Sequence, residues 1–221
     1  MKFLFSLYSD PIPLEEGCVC SLVIENQRMF RTLIKDIHQQ INGENGCCVL
    51  SENGKPLSLS KYAELFCEIV PFPCNRKTLL TRAIAAIEHR AMETEYFERS
   101  RNVFAEIERL LSELCEDYPL VFDGENLSIS ALLKQVNLTV EEAPENTLES
   151  IISYMDMVAE FERPKLFLFV NLRSYFSDEE LVEFFYTASL RKHRILMIES
   201  SVHLFLPGER RVTIDSELCE I

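Results

Sequence analysis

Leu166-Phe167-Leu168-Phe169-Val170-Asn171 is a short apolar run closed by a polar residue, followed by Ser177-Asp178-Glu179-Glu180 and then by Ile195-Leu196-Met197-Ile198-Glu199. An apolar run without alternation predicts a strand covered on both faces, as a central strand of a parallel sheet is. Ser177 with Glu180 reads as a capping box, in which each side chain satisfies the other residue's orphan N–H, and it opens a helix through Leu181, Phe184, Phe185 and Ala188. Strand, helix and strand within about 34 residues predict a right-handed βαβ unit.

Upstream, Asn146 and Glu149 read as a similar cap for a helix through Leu148, Ile151, Ile152, Met155 and Val158. At the start of the chain, Phe3 to Leu7 and Cys18 to Ile24 flank the turn Asp10-Pro11-Ile12-Pro13 and predict two strands. Met29, Phe30, Leu33, Ile34, Ile37 and Ile41 then share one helical face. Asn53-Gly54, between Cys47 to Leu50 and Leu57 to Leu59, supplies the two positive φ angles of a tight hairpin.

Between Cys74 and Tyr118 there is neither Gly nor Pro, and Leu80, Ile84, Ile87, Ala91, Phe97, Phe104, Ile107, Leu111 and Leu114 keep roughly helical spacing. One unbroken helix over this stretch would reach about 66 Å at ~1.5 Å per residue, so it must project or fold back near Thr94 to Arg101, where the stripe weakens. The expected architecture is α/β: a head with a parallel-containing sheet built from residues 1–60 and 143–221, and an inserted long-helix leg domain from 61–142.

The chain has 221 residues, 47% hydrophobic and 26% charged, enough to bury roughly 70% of its unfolded surface without disulfide staples. Six Gly and nine Pro exclude a linker-rich or fibrous chain, and no apolar stretch approaches the ~20 residues of a bilayer span. The opening Met1 to Tyr8 reaches Asp10-Pro11 too early for a signal peptide and reads as a first strand. Eight cysteines without a secretory signal suggest reduced thiols and a cytoplasmic location.

Acids outnumber bases by 36 to 22, a formal charge of −14 that argues against unassisted binding to nucleic acid or anionic lipid. The charge is segregated, however. Leu110 to Glu162 holds twelve acids and one base, Lys134, whereas Arg76 to Arg109 holds seven bases and six acids.

A parallel sheet invites a nucleotide-binding reading, but the glycines of a phosphate loop are missing: Gly54-Lys55 is followed by Pro56 and sits in a hairpin. The turn after the first core strand reads Glu25-Asn26-Gln27-Arg28, and its carboxylate would repel a phosphate. Glu25, Asn171 and Glu199 close buried strands, where sites of open α/β sheets gather. Two carboxylates there suit a divalent metal; without a phosphate-binding partner, solvated strand ends or caps for the next helix suit them better. Cys18 with Cys20, Cys47 with Cys48, and Cys67 with Cys74 lack zinc-knuckle spacing, and most of them read as small buried hydrophobes. His38, His89, His193 and His203 have no Ser or Cys elbow beside them. Glu113, Glu116, Asp117, Asp123 and Glu125 straddle the end of the long helix and the Pro119 turn; they fit either a hard-cation site of the calcium type or a solvated helix end.

Phe5-Ser6-Leu7, Asp10-Pro11-Ile12-Pro13-Leu14, Leu22-Val23-Ile24-Glu25-Asn26, Phe167-Leu168-Phe169-Val170-Asn171 and Ile195-Leu196-Met197-Ile198-Glu199 resemble, in order and spacing, the Csn-two family of type II-A CRISPR-associated proteins. So does Phe122-Asp123 leading to Ser130-Ala131-Leu132-Leu133-Lys134, and the match is weakest over Gly43 to Glu113. The resemblance implies a head like a P-loop hydrolase core that has lost its phosphate loop, a helical leg, and a homotetrameric ring that holds double-stranded DNA. It also implies calcium bound through carboxylates, loading on free DNA ends during spacer acquisition, no catalytic activity, and partners among the other acquisition proteins, the integrase complex and the RNA-guided nuclease.

Asp123 and Glu125 match the family's acidic stretch, with Glu116 or Asp117 as substitutes for an acid missing at Ala131. Lys134 corresponds to a recurrent lysine of the family; Arg76, Lys77, Arg82 and Arg90 are DNA-contact candidates on charge alone. Bound calcium and symmetry would then assemble a locally positive channel from an acidic chain. Two other classes fit the residues: a metal-dependent nuclease or NTPase using Glu25 and Glu199, and a protein-binding adaptor.

Overall fold

In a computed structural model the chain is described over residues 1–5, 10–120, 127–140, 147–163 and 165–221. It divides into two compact units, Met1–Cys74 with Glu142–Ile221, and Asn75–Glu141.

The first unit is mixed α/β, as the apolar runs require. Its larger sheet is entirely parallel, in the order β6-β7-β8-β3-β9. These strands are β3 (Val19–Ile24), β6 (Ala63–Phe66), β7 (Leu166–Val170), β8 (Arg194–Glu199) and β9 (Glu209–Ile214). A smaller antiparallel sheet has the order β2-β1-β4-β5, from β1 (Lys2–Leu4), β2 (Ile12–Pro13), β4 (Val49–Glu52) and β5 (Lys55–Leu57). Asn53 and Gly54 join β4 to β5 with φ of 51° and 75°, the left-handed pair that the hairpin reading demands.

Strand alternation sends side chains to two different covers. Cys20, Leu22, Ile24, Leu166, Leu168, Leu196 and Ile198 face a core shared with Phe3, Ile12, Leu14 and Leu50 of the small sheet. Met29, Leu33 and Ile37 of α1 (Gln27–Ile41) join that core, the periodicity seen in the sequence. On the opposite face Phe169 stacks on Phe66 at 5.1 Å between centroids and meets Phe184 edge-on at 6.3 Å. Phe184 belongs to α7 (Asp178–Leu190) and Tyr154, edge-on to Phe66 at 5.8 Å, to α6 (Thr147–Phe161). With covers on both faces, β7 is buried at every residue.

The capping box forms as read: Glu180 N–H donates to Ser177 Oγ at 3.3 Å and Ser177 N–H to Glu180 Oε2 at 2.8 Å. The proposed cap at Asn146 lies outside the described residues. Strands β6 and β9 escape the sequence pattern because charges interrupt both. The sequence division starts the helical domain at residue 61, whereas in the structure α2 (Leu59–Tyr62) and β6 stay with the sheet and the helical unit starts at Asn75.

In the second unit the long Gly- and Pro-free stretch is two helices, α3 (Lys77–Ala91) and α4 (Thr94–Cys115), parted at Met92 and Glu93. They pack with α5 (Ile129–Gln135): Ile87 and Ala91 of α3, Val103 and Phe104 of α4, and Ile129 and Leu132 of α5 line one cavity of about 390 Å³. None of the 22 residues of α4 is buried, although it carries an apolar stripe. Phe97, Val103, Leu110 and Leu114 stand exposed.

Candidate functional site

The turn from β3 into α1 is where a parallel nucleotide-binding core would place its phosphate loop. Only Glu25 and Asn26 separate the two elements. Asn26 caps the helix: its Oδ1 accepts from Met29 N–H at 3.0 Å, and its Nδ2 donates to the Ser216 carbonyl at 2.8 Å. The amide oxygen therefore takes one of the N–H groups that an anion would need.

The three strand-end residues have different surroundings. Glu25 is exposed, while Glu199 is 1% exposed. Asn171 adopts φ 51° and its Oδ1 accepts from Ser200 N–H at 2.9 Å, which joins the ends of β7 and β8. Among the described residues no three His, Cys, Asp or Glu converge on a metal position. Glu25 and Glu199 are thus a solvated carboxylate and a buried one, without a third ligand between them.

Glu199 belongs instead to a buried polar cluster over one face of the sheet. Its Oε1 accepts from Arg173 N–H at 3.3 Å. The Arg173 guanidinium, itself buried, reaches Glu209 Oε2 at 3.5 Å and Asp178 Oδ1 at 3.2 Å. Arg211 Nε donates to Glu209 Oε1 at 2.9 Å, and its terminal nitrogens donate to the carbonyls of His203 and Leu204 at 2.7 and 2.8 Å. Leu206 N–H adds a bond to Glu209 Oε2 at 3.0 Å. The cluster pins the 200–208 connection, leaving Val202, Leu204 and Phe205 exposed above it. Nothing local in the sequence pairs Arg173 with Glu209; the one signal is the alternation Glu209, Arg211, Thr213, which sets three polar side chains on one face of β9.

Burial pushes the Glu199 carboxyl up to about 7, against the Arg173 N–H and guanidinium, which pull it down. Burial also opposes ionisation of Glu209, but the bonds from Arg211 and Leu206 N–H hold its carboxyl below the ordinary value. For Glu199 the folded state keeps a proton that the unfolded chain releases above its ordinary value of 4.5. Stability therefore falls as pH rises from about 4.5 to about 7 and levels off above. Glu199→Gln removes that fall and raises stability at pH 8 by on the order of 2–3 kcal/mol. Urea midpoints across this range check it: a variant with the wild-type slope contradicts the assignment.

The DNA-contact candidates lie in the helical unit. Lys77, Arg82 and Arg90 are exposed on α3, and Lys134 is exposed in the last turn of α5, where a cation suits the helix dipole. Arg76 is the half-buried N-cap residue of α3. Arg90 is partly engaged, 5.3 Å over the Tyr96 ring. At helical spacing 77, 82 and 90 do not form one stripe, so α3 alone presents no continuous basic face. Glu116, the C-cap of α4, and Asp117 are exposed oxygen donors of the type calcium takes. Asp123 and Glu125 lie outside the described residues.

Taken together, the fold defines an α/β protein with a five-stranded parallel sheet, a helical insertion and a first helix capped by Asn26. A family model described as CRISPR-associated protein (Cas_Csn2) matches residues 40–218, and the chain belongs to that family. CRISPR-associated protein Csn2 of Enterococcus faecalis is 22% identical over 205 residues, covering 91% of each chain. The crystal structure of Stu0660 of Streptococcus thermophilus has the same fold, with a TM-score of 0.54 at 15% identity over 91% of this chain and 69% of that one. No helix among the described residues is long and apolar enough to cross a membrane.

Proposed function

We propose that the chain is a non-catalytic, double-stranded DNA-binding ring of CRISPR adaptation, assembled from four copies, assisted by calcium and loaded on free DNA ends. Membership of the CRISPR-associated family carries this reading. The head is read as a P-loop-like core without its phosphate loop, which the parallel order β9-β3-β8-β7-β6 and the Asn26 cap support. The helical unit is read as the leg. DNA contacts go to phosphates, because a channel threaded by arbitrary sequence cannot depend on base edges.

Lys134, Lys77, Arg82, Arg90 and Arg76 are proposed to line the channel, each supplied several times over by symmetry. Asp123, Glu125, Glu116 and Asp117 are proposed to hold calcium, which neutralises acid near the polyanion. The surfaces of the ring left free are those that meet the integrase complex and the RNA-guided nuclease.

A gel-shift comparison of linear and closed circular duplex, with calcium or with a chelator, tests the reading. Retention of linear duplex only, and only with calcium, is expected; equal binding of both topologies contradicts threading. Turnover of ATP or duplex that Glu199→Gln abolishes would mark an enzyme instead.

Assembly has its own test. The exposed stripe of α4 supports burial against another copy. Leu110→Glu with Leu114→Glu removes two leucine contacts per face and weakens self-association by at least about 10²-fold. Light scattering reads this as a fall in mass towards that of one chain.

A further inference from the structure

We infer that Cys18 and Cys20 form a redox-active dithiol that exchanges with low-molecular-weight disulfides such as oxidised glutathione. The inference is independent of the DNA-binding reading.

The two sulfur atoms lie 3.8 Å apart. Val19 alone separates them, and both pack against the same core, Cys20 within it and Cys18 at its margin. Two strand steps span about 6.6 Å, inside the upper limit of ~6.8 Å between Cα atoms that a disulfide accepts. The six other cysteines are not arranged this way: Cys47, Cys67 and Cys219 are exposed, Cys115 is half-buried, and Cys48 and Cys74 are buried.

The pair is asymmetric as a reacting dithiol requires. Cys18 is half-buried just before β3 and open to a small reagent, whereas Cys20 is 2% exposed. A hydrogen bond from Cys20 holds the Cys18 thiol down to about 7; burial opposes this, and the Arg210 guanidinium assists it. The same bond, with burial, pushes Cys20 well above the ordinary thiol value. Cys18 is therefore the attacking thiolate and Cys20 the resolving thiol.

In the first step Cys18 Sγ attacks one sulfur of the external disulfide. That S–S bond breaks, a mixed disulfide forms on Cys18, and the departing thiolate takes up a proton from water. Cys20 then gives up its proton, attacks Cys18 Sγ and displaces the second external thiolate, which is protonated in turn. The protein loses two hydrogens with two electrons, and the external disulfide becomes two thiols. Oxidation also ends the contact of Cys20 Sγ with the Pro13 carbonyl at 3.4 Å, a link between β3 and β2.

The test is equilibration of the full chain with oxidised and reduced glutathione, alkylation of the remaining thiols, and peptide mass spectrometry. The peptide holding both residues should lose the mass of two hydrogens and escape alkylation, while Cys47, Cys67 and Cys219 are alkylated or carry glutathione singly. Cys20→Ser should trap glutathione on Cys18, and Cys18→Ser should leave Cys20 unmodified. If Cys18 and Cys20 of the wild-type chain are alkylated throughout, or each carries glutathione without closing on the other, the assignment fails. The wild-type map decides the matter even if a variant misfolds.

Discussion

Replacing Lys77, Arg82 and Lys134 together by alanine will weaken binding to linear duplex by at least about 10²-fold at moderate salt, without changing the fold. The three side chains are exposed, so truncation removes charge and little packing. Each phosphate contact releases counterions and contributes about 0.9 to the slope of log affinity against log salt. In the proposed four-copy ring each of these residues meets the duplex several times, so the slope becomes shallower by several such steps. Sequence preference stays flat, because the lost contacts carry no base information. A fluorescence-anisotropy titration across a salt series measures both quantities. An unchanged slope would place the channel elsewhere on the chain. Arg90→Lys is the matched control: it keeps the charge but weakens the stacking on Tyr96.

A second large effect is expected at the other end of the molecule's chemistry, in the core. Lys165→Met will destabilise the sheet-bearing unit by about 3–5 kcal/mol, since it takes the Lys165 charge away from two buried carboxylates. Lys165 Nζ lies 2.5 Å from Glu64 Oε1 and 2.7 Å from Glu162 Oε2, with all three side chains largely buried. Tyr154 OH donates to the other Glu64 oxygen at 2.7 Å. The four groups tie edge strand β6 to α6 and to the start of β7. Removing the charges as a set is a different experiment: Lys165→Met with Glu64→Leu and Glu162→Leu should recover much of the loss, because apolar replacement of a whole buried network is often neutral. Denaturant midpoints of the two variants decide between a stabilising network and a merely obligatory one. A single Lys165→Met variant as stable as wild type would contradict the buried-pair account.

How much of this was legible beforehand depends on how local each interaction is. The capping box of α7 spans four residues, the Asn53-Gly54 turn two, and the apolar faces of β7 and α1 repeat within a few positions, so the sequence shows them directly. Strands β6 and β9 do not show in the sequence pattern because their polar residues are satisfied far away. Glu64 meets Lys165 across 101 positions, and Glu209 meets Arg173 across 36. An isolated glutamate inside AELF or ERRVTI reads as solvent-facing until its partner is known. The strand-end carboxylates show the same limit: Glu25 and Glu199 look alike in the sequence, yet one is exposed and the other buried beneath Arg173. The weakening stripe places a fold-back near Thr94 to Arg101, and the break between α3 and α4 falls just before that stretch, at Met92 and Glu93. The basic candidates came from charge counting alone, which places Lys77, Arg82 and Arg90 on one helix but not on one side of it.

The most direct measurement of the central claim is the solution mass of the wild-type chain mixed with a short linear duplex at low ionic strength, with calcium present. An acidic polypeptide that holds a polyanion through assembly and a divalent ion should elute as a four-chain particle carrying one duplex, and should release it when calcium is chelated or salt is raised. A single chain that elutes apart from the duplex under those conditions would contradict the account.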